Sequence, residues 1–335
     1  MQRIGIIGAG AWGTALGLVA LRAGRAAIVW AREKEVADSI NAAHENPAFL
    51  PGIALDPALA ATGDLATAAQ SDALLLAVPA QFLRAVTREL ARHVAPGLPC
   101  AICAKGIERA TGALLTEICA ETLPAPRLAV VSGPTFAPEV ARGLPAAVTI
   151  AASDPALARA FVAALGGPAF RPYAGGDPVG SQIGGAVKNV LAIACGIVEG
   201  RGLGENARAA LITRGLAEMT RLALAMGGRA ETLMGLSGLG DLVLTCTGES
   251  SRNFSLGRAL GEGAALDAVL GERRSIAEGV DTASAVAALA KRLAVEMPIS
   301  DAVDAILHRG AAIDEAIAAL LARPFRSEAA PAGAD

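Results

Sequence analysis

Short apolar runs recur along the first half of the chain, each bounded by glycine, proline or a polar residue. Arg3–Ile7, Ala26–Trp30, Ala73–Val78, Cys100–Ala104 and Leu128–Ser132 are five or six residues long, and stretches of helical character separate them, Gly13–Ala23 being the first. Short, nearly continuous apolar strands that alternate with helices predict a parallel sheet covered on both faces. Ala147–Ala151 and Ala169–Tyr173 extend the pattern around a helix starting near Asp154.

The texture changes after about Asp177. Gly185–Val198, Glu205–Met226, Ser255–Leu260, Ala283–Leu293 and Asp301–Arg309 read as helices, and no strand pattern interrupts Val179–Arg323. The prediction is an α/β fold. A mainly parallel sheet with helices on both faces occupies residues 1–178, an all-helical domain follows over 179–325, and 326–335 form a flexible tail. Ligands belong in the cleft between the two, at the C-terminal ends of the strands.

One stretch could be mistaken for a membrane or export segment. Ile4–Leu21 runs for eighteen residues without a charge, but five of them are glycine. That is too many for a helix throughout, so a strand, a glycine turn and a buried helix explain it better. No other run reads as long and apolar enough to span a bilayer.

Composition narrows the classes. The 335 residues are 53% hydrophobic and 18% charged, which excludes a disordered chain. A net charge of -3 and only 3% aromatics offer neither the basic footprint nor the stacking platforms of a nucleic-acid binder. Five cysteines, an odd number without framework spacing, fit a reducing cytoplasm better than a secreted disulfide scaffold. Cys100 and Cys103 match a redox spacing, but along a strand they face opposite sides and read as buried structure. His44, His93 and His308 are scattered, without metal or triad spacing, so no metal site is expected.

Chemistry enters at Gly8-Ala9-Gly10-Ala11-Trp12-Gly13, directly after the first strand. In a strand–turn–helix setting Gly8 permits the tight turn. Gly10 lets backbone approach a pyrophosphate, and Gly13 lets the helix pack on the strand. The helix N-terminus then offers free N–H groups to the phosphates. This predicts a Rossmann-type dinucleotide site. At the tip of the second strand, Arg32 can accept a 2′-phosphate and Glu33 can bind a ribose hydroxyl, so NAD and NADP both stay open.

The lysines stand out next. Of 29 basic residues only Lys34, Lys105, Lys188 and Lys291 are lysines; the rest are arginines. A lysine in a glycine-rich or apolar setting suggests proton transfer, because a desolvated ammonium can be tuned and a guanidinium cannot. Lys188 in Gly184-Gly185-Ala186-Val187-Lys188-Asn189 and Lys105 in Ala104-Lys105-Gly106 fit; Lys34 and Lys291 read as surface. Ser237-Gly238-Leu239-Gly240-Asp241 places a carboxylate in a flexible loop, where it could pair with a lysine, orient a hydroxyl or merely cap a helix. Ser250-Ser251-Arg252-Asn253 makes a good phosphate site at a helix start. Glu278, alone near a turn, means little by itself.

In this order, the segments 8–15, 104–106, 132–137 (Ser-Gly-Pro-Thr-Phe-Ala), Lys188-Asn189, 238–241, 251–253 and 277–279 resemble those of bacterial NAD(P)-dependent sn-glycerol-3-phosphate dehydrogenases. The resemblance implies reversible reduction of dihydroxyacetone phosphate to the glycerophospholipid backbone precursor by a cytoplasmic enzyme, often a homodimer. It implies Lys188 as general acid in reduction and base in oxidation. Lys105, Gly133, Thr135, Asp241, Ser251, Arg252 and Asn253 would hold the substrate. Ala11, Trp12, Arg32, Lys105, Ala137, Arg252, Ile276 and Glu278 would touch the cofactor. Ala11 stands where relatives often carry serine, which removes a hydroxyl contact there. The competing readings are a dehydrogenase of another small hydroxy or keto acid, such as a ketopantoate-type reductase, and a non-catalytic dinucleotide sensor.

Overall fold

The computed structural model describes residues 1–271 and 277–325. Ile276 and the tail from 326 onward, named above, lie outside the described residues.

The apolar runs become strands. β1 (Arg3–Ile7) and β2 (Ala26–Trp30) fall on the predicted bounds. A short hairpin, β3 (Glu45–Asn46) and β4 (Leu50–Ala54), and β5 (Ala60–Thr62) come next. β6 (Ala73–Leu76), β7 (Pro99–Ile102), β8 (Arg127–Ser132), β9 (Ala146–Ala151) and β10 (Phe170–Gly175) complete the set. Eight of them form one sheet in the order β10-β9-β8-β7-β6-β1-β2-β5. Every described pairing in it is parallel except β8 with β9.

Alternate side chains of each strand feed opposite cores. Ile4, Ile6, Val29 and Leu75 pack on one face; Ile7, Leu74, Leu76 and Ile102 pack on the other. Cys100 and Cys103 divide in the same way, and burial pushes the Cys100 thiol up to about 12. The chain runs outward from β1 to β2 and later returns to β6 on the other side of β1. That reversal opens a crevice above the strand ends.

Ile4–Leu21 is β1, the glycine turn and most of the helix Ala11–Arg22. The turn rests on two glycines. Gly8 has φ +119°, and a Cβ on Gly13 would overlap the Gly8 carbonyl oxygen. Asn46 clasps it from the hairpin, its Nδ2 donating to Ala9 O at 2.8 Å and to Thr14 Oγ1 at 2.9 Å. Gly13→Ala is therefore expected to abolish NADH binding, read by fluorescence titration, with the far-UV circular dichroism spectrum kept. Unweakened binding would show that the turn tolerates the methyl group.

Beyond β10 every described regular element is helical, around a third core that includes Val187, Leu191, Met219 and Leu256. Its axis is the central helix Pro178–Gly200, buried continuously from Gly180 to Val198. This helix is long and apolar enough to cross a membrane, contrary to the sequence expectation, yet 89% of its apolar window is buried inside the protein. Its glycines are contact points. A Cβ on Gly184 would strike the Ser237 carbonyl, on Gly196 that of Phe254, and on Gly200 that of Arg258. Gly257 and Gly261 answer from the facing helix Arg252–Gly261 against Ile193 and Ile197.

Candidate active site

A cleft of about 650 Å³ lies where the sheet's crevice meets the helical half. Its sheet-side wall is the glycine turn with Ala11 and Trp12, the β2 tip with Arg32 and Glu33, and Ala104, Lys105, Thr135 and Ala137. Its helical wall is Lys188, Asn189, Thr245, Ser250–Asn253 and Glu278.

The turn has room for a dinucleotide. Gly10 is the N-cap of the first helix, and no side chain caps it. A Cβ at Gly10 would meet nothing within 4 Å. Space therefore lies over a helix end whose N–H groups have no side-chain acceptor, the arrangement that binds pyrophosphate.

At the other end of the cleft, Lys188 emerges from the central helix. Its Nζ donates to Asp241 Oδ1 at 2.5 Å and to Thr245 Oγ1 at 2.9 Å. Lys105, on the irregular segment after β7, donates from Nζ to Asp241 Oδ2 at 2.7 Å and to Gly133 O at 2.9 Å. One fully buried carboxylate thus holds two ammonium groups, one on each oxygen. An ammonium has three donors, so each lysine keeps one N–H beyond these bonds, and both lysines line the cleft. Burial pulls the Lys188 ammonium down to about 8, opposed by the Asp241 charge and assisted by that of Lys105.

Glycines bring these groups together. Gly133 has φ +154°, and a Cβ there would press on Val148 at 2.9 Å. Its carbonyl receives both Lys105 and the Thr135 hydroxyl, the latter at 3.2 Å. Asp241 does not sit in a flexible loop. It opens the helix Asp241–Thr247, after a π-helical turn over Leu236–Gly240, and is 0% exposed. A Cβ on Gly238 would clash with the backbone of Leu233, so this glycine serves packing rather than mobility.

Ser251 caps the helix Arg252–Gly261 by accepting the Phe254 N–H at 3.2 Å. The Asn253 amide is bonded internally: Nδ2 donates to Asn189 Oδ1, and Oδ1 accepts the Gly279 N–H, both at 3.0 Å. Asn189 donates in turn to Lys105 O at 3.2 Å. Glu278 starts the helix Glu278–Arg292 and accepts the Ala80 N–H at 3.3 Å. Burial raises its carboxyl above the usual range, against the pull of Arg252. Lys34 and Lys291 are exposed.

Most of the sequence-selected residues line this one cleft. Gly13 and Gly133 shape it from behind, and Asp241 lies beneath the lysines. Sequence reasoning missed Thr245, and it gave Asn189 no role and passed over Asn46. Thr245 lies one helical turn after Asp241, a spacing that could have exposed it; Asn46 left no signal.

Comparison with known proteins decides between the competing readings. Family models described as NAD-dependent glycerol-3-phosphate dehydrogenase N-terminus and C-terminus match residues 3–158 and 177–318. The chain belongs to the NAD-dependent glycerol-3-phosphate dehydrogenase family. It is 59% identical over 327 residues to the glycerol-3-phosphate dehydrogenase [NAD(P)+] of Parvibaculum lavamentivorans, covering 98% of each chain. It is 61% identical over 330 residues to that of Rhodospirillum rubrum, covering 98% of this chain and 94% of the relative. The crystal structure of glycerol-3-phosphate dehydrogenase from Coxiella burnetii superposes with a TM-score of 0.92 at 40% identity, over 96% of this chain and 99% of that one. As a member of this family the chain is an NAD(P)-dependent oxidoreductase with a Rossmann-like N-terminal domain and a helical C-terminal domain.

Proposed function

We propose that the chain interconverts dihydroxyacetone phosphate and sn-glycerol 3-phosphate with NAD(P), and that Lys188 moves the proton. The observation that carries this reading is the Lys188 amine: buried at the cleft, shifted down to about 8, and bonded to Asp241 and Thr245 with a donor to spare.

The nicotinamide supplies or accepts the hydride when bound. Reduction of a ketone leaves negative charge on its oxygen, and Lys188 answers it by donating the proton. In the reverse direction the neutral amine accepts the proton from the alcohol. Asp241 fixes the amine's position and keeps it charged near neutrality. Lys105, held by the same carboxylate and by Gly133, adds a second cation, so the group of three carries a net positive charge that suits an anionic substrate. Thr135, Ser251, Arg252 and Asn253 would complete the substrate site, with Arg252 as the phosphate anchor that orients the carbonyl. Ala11, Trp12, Ala137 and Glu278 would line the cofactor, along with Ile276 and, at its ribose end, Arg32. The same reading divides the chain at 178/179 and includes a homodimer and a cytoplasmic location. Sedimentation at about twice the 33.5 kDa chain mass tests the dimer.

NADH or NADPH oxidation with dihydroxyacetone phosphate, set against unphosphorylated keto acids, tests the substrate. Turnover of the keto acids alone would overturn the reading. Arg252→Ala is expected to raise KM for the phosphorylated ketone about 10- to 100-fold, the scale of a charged hydrogen bond, with a smaller change in kcat. An unchanged KM would remove Arg252 from the phosphate.

A further inference from the structure

We infer that Glu33 sets the coenzyme preference of this chain, by competing with a 2′-phosphate for the Arg32 guanidinium. The inference rests on the proposed placement of Arg32 at the cofactor's ribose end.

Arg32 and Glu33 both line the cleft beyond the tip of β2, on the same wall as Gly8 and Gly10. Arg32 donates to a single carboxylate oxygen, from Nε at 3.0 Å and from Nη2 at 2.7 Å, and that oxygen is Glu33 Oε1. Glu33 is the N-cap residue of the helix Lys34–Ala43, and glutamate is not one of the residues that favour a side-chain capping bond there. Here it makes no capping bond. It spends its charge on Arg32 instead.

The consequence is electrostatic. The run Arg32-Glu33-Lys34-Glu35 sums to zero charge. A 2′-phosphate arriving there must take Arg32 from Glu33 and then lie beside a displaced carboxylate. A ribose that carries a free 2′-hydroxyl pays neither penalty. It can leave the ion pair in place and donate to the second carboxylate oxygen. The pair is open to solvent, with side-chain exposures of 71% and 39%, so its hold is modest and phosphate can still displace it. Both coenzymes are therefore accepted, and Glu33 sets the balance between them.

The test measures Kd for NADH and NADPH without substrate, by quenching of Trp12 and Trp30, in the wild type, Glu33→Gln and Arg32→Gln. Kinetics with each coenzyme run alongside. Glu33→Gln is expected to tighten NADPH about tenfold relative to NADH, roughly 1.4 kcal/mol. The gain should shrink as salt rises from about 20 to 300 mM, because exposed charges are screened. Arg32→Gln is expected to weaken NADPH about tenfold and NADH far less. If Arg32→Gln weakens NADPH while Glu33→Gln leaves the ratio unchanged, Glu33 is no determinant and the inference falls alone. If Arg32→Gln alters neither Kd, the placement of Arg32 falls and takes the inference with it.

Discussion

Lys188→Ala is expected to lower kcat in both directions by at least about 10²-fold, the scale on which positioned proton transfer contributes. NADH binding should survive, because the glycine turn and the β2 tip lie elsewhere on the cleft wall. The wild-type pH dependence supplies the sign. The amine is depressed from 10.5 to about 8, chiefly by burial. Ketone reduction needs the protonated form, so its kcat should fall as pH rises through about 8. Alcohol oxidation needs the free amine and should rise over the same interval. Paired pH–rate profiles of wild type and variant check both statements. Near-normal turnover in Lys188→Ala, or flat profiles between roughly pH 7 and 9.5, would take Lys188 out of the chemistry.

Asp241→Asn is expected to damage stability and turnover together. Both oxygens of this 0% exposed carboxylate hold ammonium groups, so removing the charge leaves two cations with only neutral acceptors. Breaking a buried ion pair from one side costs about 3–5 kcal/mol. The cost should depend on pH. Without the carboxylate, the folded-state value of Lys188 moves further below its unfolded value. The unfolded chain then binds more protons between those two values, and stability rises with pH across that window. The wild type shares that rise above about 8, so the variant's melting temperature deficit should narrow as pH rises to about 8 and then level off. The decline of the reduction rate should also begin at lower pH than in the wild type. A deficit that stays constant with pH would show that Asp241 holds the lysines by shape and not by charge.

Much of this was legible in the sequence because burial on both faces writes a simple signal. β1, β2 and β6 to β9 are mainly apolar runs, and a sheet interior demands such runs, while β10 is a largely exposed edge strand. The hairpin Glu45–Ala54 was not legible: Pro51 and Gly52 break its alternation, and its pairing carries a register shift. β5, only three residues long, is shorter than any usable period. The glycines around the chemistry misled in one direction. Gly180 and Gly184 hid the turns of the central helix that precede Gly185, and Gly238 and Gly240 made Asp241 read as mobile. At Gly184 and Gly238 the local preference of glycine competed with a close backbone contact, and the contact decided. The role of Lys188 was suggested by scarcity, since lysine is rare in a chain that uses arginine for ordinary charge. A lysine partner for Asp241 was one of the readings the sequence offered, but that Lys188 and Lys105 share this carboxylate was out of reach, because they lie 53 and 136 positions from it in sequence.

The glycine seam between the central helix and its neighbours bears on attempts to make the molecule hardier. Exchanging a helical glycine for alanine ordinarily gains about 0.5–1 kcal/mol. At Gly184, Gly196 or Gly257 the added methyl group would wedge apart backbones now in direct contact. It would also tilt the rod that aims the amine. Heat tolerance sought by that route would be bought at the expense of turnover, and candidates for such exchange lie at the rim, away from the seam.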